Sequence, residues 1–324
     1  MEINFQKSKI PLLWLDTFFI IECGKSASDG KRDNRYMLLY DIVLEKTREE
    51  KIICPRAEQE EELEGNVESS MKKFLALTRG TKFNLCSQVY NIQLERIMSV
   101  FSQKTRSIDL LQSDVIEYPP KSTGKYFVSS YSVPSLEHYQ KKRTEKEENI
   151  KELQDYKDTQ DISMPFQERL NNEYAGIYLA TIMLIKEGNT LKKMFNGEIP
   201  FDIKLYNQFD EFVNRPMQKW SEITGQSDID SYLEFLHSEE FKSIPYIDIS
   251  SHLIADMMTS TKKWDSGDPK DISNLSAYLP YSNFILTDKA QYNRIKRLGL
   301  DSKYKTEIYC MKNINELIER LEEI

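Results

Sequence analysis

The apolar segment 10–21 constrains the fold more than any other part of this chain. It is almost continuously apolar, and Asp16 is the single charged residue within it. Continuous apolar runs are typical of parallel strands that are buried on both faces. An ionised carboxylate inside such a run is costly unless it is paired or binds a cation. We therefore expect a buried strand with Asp16 at a functional edge; the alternative is that Asp16 caps a helix that begins at Thr17.

Strands and helices alternate at both ends of the chain. After the first strand, the sequence predicts a loop over 24–34, a helix over 35–49 and a second strand over 51–55. Near the C-terminus the predicted elements are a strand over 283–287, a helix over 289–298, a strand over 306–310 and a helix over 314–324. This alternation indicates an α/β fold with a parallel sheet. We expect both chain ends to contribute to one sheet.

The middle of the chain has a different character. Between about 67 and 263, apolar residues recur mostly at three- and four-residue spacing, which predicts helices. Residues 141–157 are polar on nearly all sides, as in an exposed helix or a helical connector. The predicted organisation is therefore an α/β core of 1–66 and 264–324 that carries a large α-helical insertion over 67–263.

The composition excludes several classes of protein. The 324 residues include 44 Lys and Arg against 52 Asp and Glu, which gives a net charge of −8. The 18 Tyr and 15 Phe exclude disorder throughout, because disordered chains have few aromatic residues. No apolar run is long enough for a membrane span, and no signal-peptide pattern precedes the first strand. The four cysteines have no C-x-x-C spacing, so we expect neither a disulfide framework nor a zinc site, and a cytoplasmic location.

Carboxylates stand at four places that such a fold would bring together. Asp16 interrupts the first strand, a glutamate-rich run over 58–64 follows the second, Asp268 and Asp271 open a helix, and Asp288 ends a strand. The ligand crevice of an open α/β sheet lies at the carboxyl ends of its strands. Each acid also has an ordinary alternative role, as a helix cap or as a solvated side chain near a helix dipole. It is their combination that indicates a site.

Converging carboxylates favour a bound cation, because they repel one another unless a positive charge neutralises them. Oxygen donors suit Mg²⁺ and Mn²⁺, and such ions support phosphodiester hydrolysis by activating a water. The predicted cofactor is therefore Mg²⁺ or Mn²⁺.

An acidic protein can bind nucleic acid through such cations or through a local basic strip. The best strip begins directly after Asp288, and a second, over 141–143, is more typical of a solvated helix face. The three histidines are dispersed, and no glycine-rich phosphate loop occurs, so neither a histidine site nor a nucleotide cradle is expected. The predicted nucleic-acid contacts are Lys289, Arg294, Lys296 and Arg297.

The segment 271–288, DISNLSAYLPYSNFILTD, resembles the C-terminal signature of PIN-like nuclease domains of the long bacterial type. In that signature a helix with an Asp-x-x-His pattern leads into Leu-Pro-Tyr and then into a strand that ends in Thr-Asp. Asp16 with the following Thr-Phe-Phe resembles the first acid of the family. Residues 51–55, with the glutamates behind them, resemble its second strand. The resemblance covers the two chain ends and not the helical middle.

The resemblance implies a Rossmann-like PIN fold and a metal-dependent endonuclease, with RNA as a substrate in preference to DNA. Carried over by position, the catalytic and metal-binding acids are Asp16, Glu62, Asp271 and Asp288. Asp268 is an auxiliary ligand on the same basis.

Some positions leave alternatives open or depart from the family pattern. Glu58 and Glu61 are the nearest rivals of Glu62, and Thr287 would orient a carboxylate or a water. Asn274 stands where many relatives carry His, and the resemblance implies an auxiliary role for it at the site. Asn283 stands where many carry Asp, so we expect one negative charge fewer near the site.

Two functions follow from these expectations. The first is an endoribonuclease, and a toxin or phage-defence role would fit the common use of such enzymes. The alternative is a catalytically weak or inactive scaffold that binds a protein partner, or a second copy of itself, through the helical insertion. We expect no membrane partner in either case.

Overall fold

The computed structural model describes residues 1–26, 33–59, 68–118 and 136–324. Most of these residues are helical, and a π-helical turn, Asp210–Asn214, joins two of the helices. The helices are α1 (Thr17–Ser26), α2 (Arg35–Arg48), α3 (Glu68–Thr78), α4 (Cys86–Gln103), α5 (Leu136–Asp158), α6 (Phe166–Lys186), α7 (Gly188–Phe195), α8 (Ile203–Phe209), α9 (Arg215–Thr224), α10 (Ile229–His237), α11 (Glu239–Lys242), α12 (Pro245–Thr259), α13 (Asp268–Tyr278), α14 (Lys289–Leu298), α15 (Leu300–Tyr304) and α16 (Ile314–Glu322).

The strands are short and form small sheets. They are β1 (Glu2–Gln6), β2 (Leu13–Leu15), β3 (Lys82–Phe83), β4 (Ser107–Leu111), β5 (Ile116–Glu117), β6 (Phe284–Leu286) and β7 (Glu307–Tyr309). β1 pairs with β4, and β3 pairs antiparallel with β5. The chain is therefore α/β, with helix as its predominant structure.

The sheet to which both chain ends contribute is parallel and has the order β2-β6-β7. Its middle strand, β6, comes from the C-terminal end of the chain and lies beside β2 from the N-terminal end. Parallel bridges continue the arrangement on the other side of β2, where Leu12 pairs with Ile53 and Arg56 pairs with Lys82. Both chain ends therefore contribute to one parallel arrangement, as predicted.

The first apolar run divides into a strand and a helix. β2 ends at Leu15, and α1 begins at Thr17, so the run is not one long strand. The backbone N–H of Phe19 donates to the carbonyl of Asp16 at 3.1 Å, which starts the helix immediately after the strand. The helix from Thr17, given above as the alternative, therefore accounts for the second half of the run. It also accounts for part of the predicted loop, because α1 continues to Ser26.

Other predicted elements agree closely with the observed ones. The helix over 289–298 has the predicted bounds, and the predicted helix over 35–49 is observed as α2. The C-terminal strands β6 and β7 are each two residues shorter than predicted. The second predicted strand is reduced to the bridge at Ile53. Residues 60–64 of the glutamate-rich run lie outside the described residues.

The chain divides into two compact units. The α/β unit comprises Phe5–Val89, Asp109–Gln160 and Thr261–Ile324, and the helical unit comprises Met1–Asn4, Tyr90–Ile108 and Asp161–Ser260. The predicted division, with a core of 1–66 and 264–324, stays a prediction because its first boundary falls outside the described residues. No helix in the described ranges is both long enough and apolar enough to span a bilayer.

Each unit has its own apolar core. In the α/β unit, side chains of α1, α2 and α16, such as Phe19, Leu39 and Leu317, pack with residues of β2 and β6. In the helical unit the core is aromatic, and Trp220 stacks on Phe235 with ring centroids 5.3 Å apart. The apolar spacing of these helices therefore buries one face of each against a core.

Candidate functional site

The carboxyl edge of the parallel sheet is the candidate functional site. β2 is the first strand of the parallel arrangement along the chain, but it lies in its interior. The bridge at Ile53, which comes next along the chain, is on one side of β2, and β6 is on the other. The order of strands along the chain therefore reverses between β2 and β6. In open α/β sheets, ligands bind outside the carboxyl ends of the strands at such a reversal.

Asp16 and Thr287 meet at this reversal. Leu15 and Leu286 are in register, so the residues that follow them are neighbours. The backbone N–H of Asp16 donates to the carbonyl of Leu286 at 2.9 Å. The Thr287 hydroxyl donates to Oδ2 of Asp16 at 2.8 Å, and both side chains are buried. The hydroxyl therefore holds the carboxylate in one orientation.

Asp288 follows Thr287 and is the N-cap of α14. Its Oδ1 accepts the backbone N–H of Ala290 and that of Gln291, the second at 3.1 Å. Asp288 therefore has the helix-capping role that was given above as the ordinary alternative for such an aspartate. Since Oδ1 makes both bonds, the cap engages one oxygen of the carboxylate.

Asp271 is connected to the same edge through Gln291. It lies in the first turn of α13, and its Oδ2 accepts the side-chain Nε2–H of Gln291 at 3.1 Å. Because the backbone of Gln291 is bonded to Asp288, a single residue contacts two of the predicted acids. The structure thus links Asp271 with Asp288, and Asp16 with the neighbouring Thr287.

Asp268 belongs to a buried cluster of charges instead. Both of its oxygens accept from Nζ of Lys262, at 2.7 and 3.0 Å, and Nη2 of Arg294 lies 3.9 Å from Oδ1. Burial opposes the charge on Lys262, but its bonds with Asp268 and Asp265 outweigh this and raise the pKa of Lys262. A carboxylate that is neutralised in this way is poorly suited to hold a cation. We therefore do not carry Asp268 forward as a ligand.

Glu58 is also paired with a cation. It forms an ion pair with Lys270, and its Oε1 accepts the backbone N–H of Cys86 at 2.8 Å. Burial alone would raise the pKa of Glu58, but Lys270 and the Cys86 N–H outweigh it and lower this pKa. Glu61 and Glu62 lie outside the described residues, so the choice of the second acid stays a prediction.

The two asparagines have structural contacts. Oδ1 of the buried Asn274 accepts from the thiol of Cys86 at 3.4 Å, and its auxiliary role stays a prediction. Asn283 precedes β6, and its Oδ1 accepts the backbone N–H of Leu12 at 3.0 Å. Asn283 therefore lies at the amino end of the strand, opposite Asp288. The expectation that Asn283 lowers the charge near the site is wrong, because the whole length of β6 separates Asn283 from the carboxyl edge.

The predicted basic strip on α14 is divided between surface and interior. Lys289, Lys296 and Arg297 are exposed, and Lys296 pairs with Asp301 at 2.7 Å. Arg294 is buried, and its Nη1 donates to Oε1 of Gln291 at 3.0 Å. A buried guanidinium cannot contact a phosphate backbone, so the surface strip is limited to the three exposed cations.

A groove of about 600 Å³ adjoins this region of the α/β unit. It lies between α5 and the beginning of α13, and its lining includes Lys146, Tyr156, Ser266 and Lys270. Lys270 lines the groove and precedes Asp271 in sequence, but Asp271 itself does not line it. Tyr156 is 55% exposed and presents an aromatic ring in the groove.

The donor chemistry of the edge fits a hard divalent cation. Among the described residues, no three His, Cys, Asp or Glu side chains form a group that could hold a metal ion. Mg²⁺ does not need such a cage, since it commonly binds one or two carboxylates and takes its other ligands from water and substrate phosphates. Asp16, Asp271 and Asp288 supply carboxylate oxygens of the required kind.

Sequence reasoning missed Gln291 and Lys262. Asp288 and Gln291 have the spacing of a capping box, which was a usable signal for a special role of Gln291. Lys262 had no such signal, because only the folded chain brings its ammonium group to Asp268.

Comparisons with family models, with curated proteins and with solved structures give no match for this chain. We therefore infer its function from the position and chemistry of these side chains.

Proposed function

We propose that this protein is a PIN-like, metal-dependent endonuclease that cleaves single-stranded RNA. One observation carries the proposal. Asp16 and the pair Thr287–Asp288 follow two neighbouring parallel strands at the point where the strand order reverses, and Gln291 ties Asp271 to the same edge. Strand ends at such a point are where α/β folds bind ligands.

The proposed ligands of Mg²⁺ or Mn²⁺ come from Asp16, Asp271 and Asp288, with one or two of them binding the ion directly and the others acting through its bound waters. Glu62 is kept as a predicted fourth acid. When bound, such an ion supplies an activated water for attack on phosphorus and stabilises the leaving oxygen. Thr287 keeps the Asp16 carboxylate oriented through its 2.8 Å hydrogen bond. Asp288 can hold its own orientation because two backbone N–H groups of α14 bind its Oδ1.

The groove between α5 and the beginning of α13 supports a single-stranded polymer as substrate. An unstacked base can lie on an exposed aromatic ring such as Tyr156, whereas a base within a duplex cannot. Lys146 lines the same groove and can accompany the phosphate backbone. Lys289, Lys296 and Arg297 are exposed on α14, the helix that Asp288 caps, and we propose that they add contacts to the phosphate backbone. Such a combination of cations and aromatic rings is typical of single-strand binding.

The test is cleavage of a labelled single-stranded RNA by the purified full chain with Mn²⁺. We expect Asp16→Asn and Asp271→Asn to reduce cleavage to the level measured in EDTA, because each removes a ligand charge with almost no change of shape. Asp41→Asn is the matched control, since Asp41 is exposed on α2. Cleavage that survives chelation and both substitutions would exclude this mechanism.

A second candidate function is a non-catalytic scaffold that self-associates through the helical unit. It is favoured by an exposed aromatic group in which the rings of Phe195, Phe201 and Tyr206 are 5.7–5.8 Å apart. Lys192 and Lys193 precede this group in sequence, and Asp202 lies within it, so the surface carries both signs of charge. A surface with both signs can be self-complementary, as a twofold interface requires.

Sedimentation at increasing protein concentration separates the two functions. The scaffold predicts a dimer that Phe201→Ser disrupts, together with no thermal shift in Mn²⁺. A monomer at all concentrations, with a Mn²⁺-dependent thermal shift that Asp271→Asn abolishes, would exclude the scaffold and favour the nuclease.

A further inference from the structure

Gln291 occupies a central position at the carboxyl edge. Its side chain is almost completely buried. Nε2 donates to Oδ2 of Asp271 at 3.1 Å, and Oε1 accepts from Nη1 of Arg294 at 3.0 Å. Its backbone N–H donates to Oδ1 of Asp288 at 3.1 Å. One residue therefore contacts two of the proposed ligands.

Arg294 determines which way the Gln291 amide points. A guanidinium group has only donors, so the amide oxygen must face Arg294. The NH₂ group then necessarily faces Asp271, whose carboxylate accepts the bond. Arg294 is in turn held near Asp268, with Nη2 at 3.9 Å from Oδ1. The charge cluster around Asp268 thus acts through Arg294 and Gln291 on Asp271.

The side chain of Gln291 also departs from the usual geometry at its position. Gln291 is the third residue after the N-cap Asp288, where a glutamine ordinarily reaches back to the N-cap backbone N–H. Here the amide oxygen is bonded to Arg294 and the amide nitrogen to Asp271. Capping therefore does not account for the direction of this side chain.

We propose that Gln291 is a positioning residue that fixes the Asp271 carboxylate for the divalent cation. This inference rests on the function proposed above. Carboxylates that bind metals are commonly held by hydrogen bonds from residues behind them, and loss of such a partner lowers metal affinity roughly 10–100-fold. Gln291 does not contact the ion in this proposal and takes no part in proton transfer.

The experiment measures Mn²⁺ binding by electron paramagnetic resonance of the free ion in the full chain. Gln291→Met removes the amide and keeps the length of the side chain. The matched control is Gln112→Met, because Gln112 is buried in the same unit, donates to the carbonyl of Tyr281 and accepts from the N–H of Ser8. We expect Gln291→Met to weaken Mn²⁺ binding roughly 10–100-fold and Gln112→Met to leave it unchanged.

Cleavage gives a second readout that a purely structural role would not produce. The Mn²⁺ concentration for half-maximal cleavage should rise in Gln291→Met by the same factor as the dissociation constant. The rate at saturating Mn²⁺ should stay near that of the wild type. If Gln291→Met does not fold, Gln291→Asn is the second variant, because a side chain one methylene shorter cannot bridge Arg294 and Asp271.

Two results would overturn the inference, and they are distinguishable. If Asp16→Asn abolishes Mn²⁺ binding while Gln291→Met binds as tightly as Gln112→Met, Gln291 has no positioning role and the proposed function stands. If the wild type binds no Mn²⁺, the inference falls together with the metal-dependent function.

Discussion

The carboxyl edge of the α/β unit and the core of the helical unit bury very different side chains. At the edge, Asp16, Thr287 and Gln291 are buried polar residues, each with hydrogen-bonding partners. The core of the helical unit is built on aromatic rings such as Trp220 and Phe235. Buried polar groups need partners at fixed distances, whereas aromatic rings gain most of their free energy from burial in any close packing.

The difference means that the helical core contributes mainly to stability, whereas the carboxyl edge supplies the groups that could take part in chemistry. Aromatic packing contributes free energy without creating a reactive position. The polar edge is costly to bury and keeps carboxylates in fixed orientations, which is what a cation site needs. Four substitutions test the contrast, and they are ordered by the expected change in the free energy of unfolding.

Phe235→Ala should have the largest effect. Phe235 stacks on Trp220 and meets the rings of Phe101 and Phe241 edge-on, with centroids 5.4 and 5.5 Å away. Truncation of a buried phenylalanine leaves a cavity, so we expect a loss of about 4 kcal/mol. Urea denaturation followed by tryptophan fluorescence measures it. Phe195→Ala, at a side chain that is 64% exposed, should change the stability by less than about 0.5 kcal/mol; similar losses for the two variants would contradict an aromatic core.

Asp268→Asn should destabilise the protein by about 3 kcal/mol, because it removes the buried carboxylate that neutralises the buried Arg294 and the partly exposed Lys262. Lys262 and Arg294 would keep their charges with one negative partner fewer. Lys262 is 39% exposed, so solvent moderates the effect. Asp265→Asn is the control, since Asp265 pairs with the same lysine and is 63% exposed. Equal unfolding midpoints for the two variants in urea would show that the burial of Asp268 adds nothing to its contribution to stability.

Gln59→Met should cost about 1–2 kcal/mol, because the buried carbonyl of Leu15 would lose its side-chain donor. Nε2 of Gln59 donates to that carbonyl at 2.7 Å, and Leu15 is the residue immediately before Asp16. Gln6→Met is the control, because Gln6 is exposed and its side chain donates to the exposed side chain of Asp109. Differential scanning calorimetry would detect the difference in melting temperature. A Gln59 variant as stable as the Gln6 variant would show that solvent replaces the lost donor.

Lys270→Met should have the smallest effect and a defined dependence on pH. The lowered pKa of Glu58 means that its pair with Lys270 stabilises the fold above the ordinary pKa of 4.5. This contribution is lost as the pH falls through the lowered value, because the carboxylate then takes up a proton in the folded state as well. We expect a difference below about 1 kcal/mol at pH 7 between wild type and variant.

Urea midpoints measured from pH 7 to pH 3 test this dependence. The difference between wild type and Lys270→Met should shrink towards acid pH. A difference that grows as the pH falls would mean that Lys270 acts through contacts other than Glu58.

The sequence predicted much of the sheet and of the acids at its edge. The apolar run 10–21, which Asp16 interrupts, and the run that ends at Asp288 each predicted a strand. Only the first half of the run 10–21 is a strand, and this strand, β2, is the neighbour of β6 in one parallel sheet. Local spacing also gave the helix Lys289–Leu298 with its observed bounds. These features depend on residues close in sequence, so hydrophobic patterning and capping are sufficient to predict them.

Other features depend on contacts between distant residues. Asp271 was predicted as a ligand and Asp268 as an auxiliary one, although both open the same helix. Lys262 and Arg294 neutralise the first, and Gln291 donates to the second. Arg294 looked like a surface cation in its sequence, yet it is buried.

By itself, the sequence determined that strands and helices alternate, that both chain ends are apolar enough to be buried, and that acids follow the strands. Only the tertiary structure decided which of those acids are neutralised and which are held by neutral donors. The physical reason is that the pattern of apolar residues, which predicts helices and strands, depends on residues close together in the sequence. The state of a buried charge, in contrast, depends on whichever groups the fold brings within hydrogen-bonding distance.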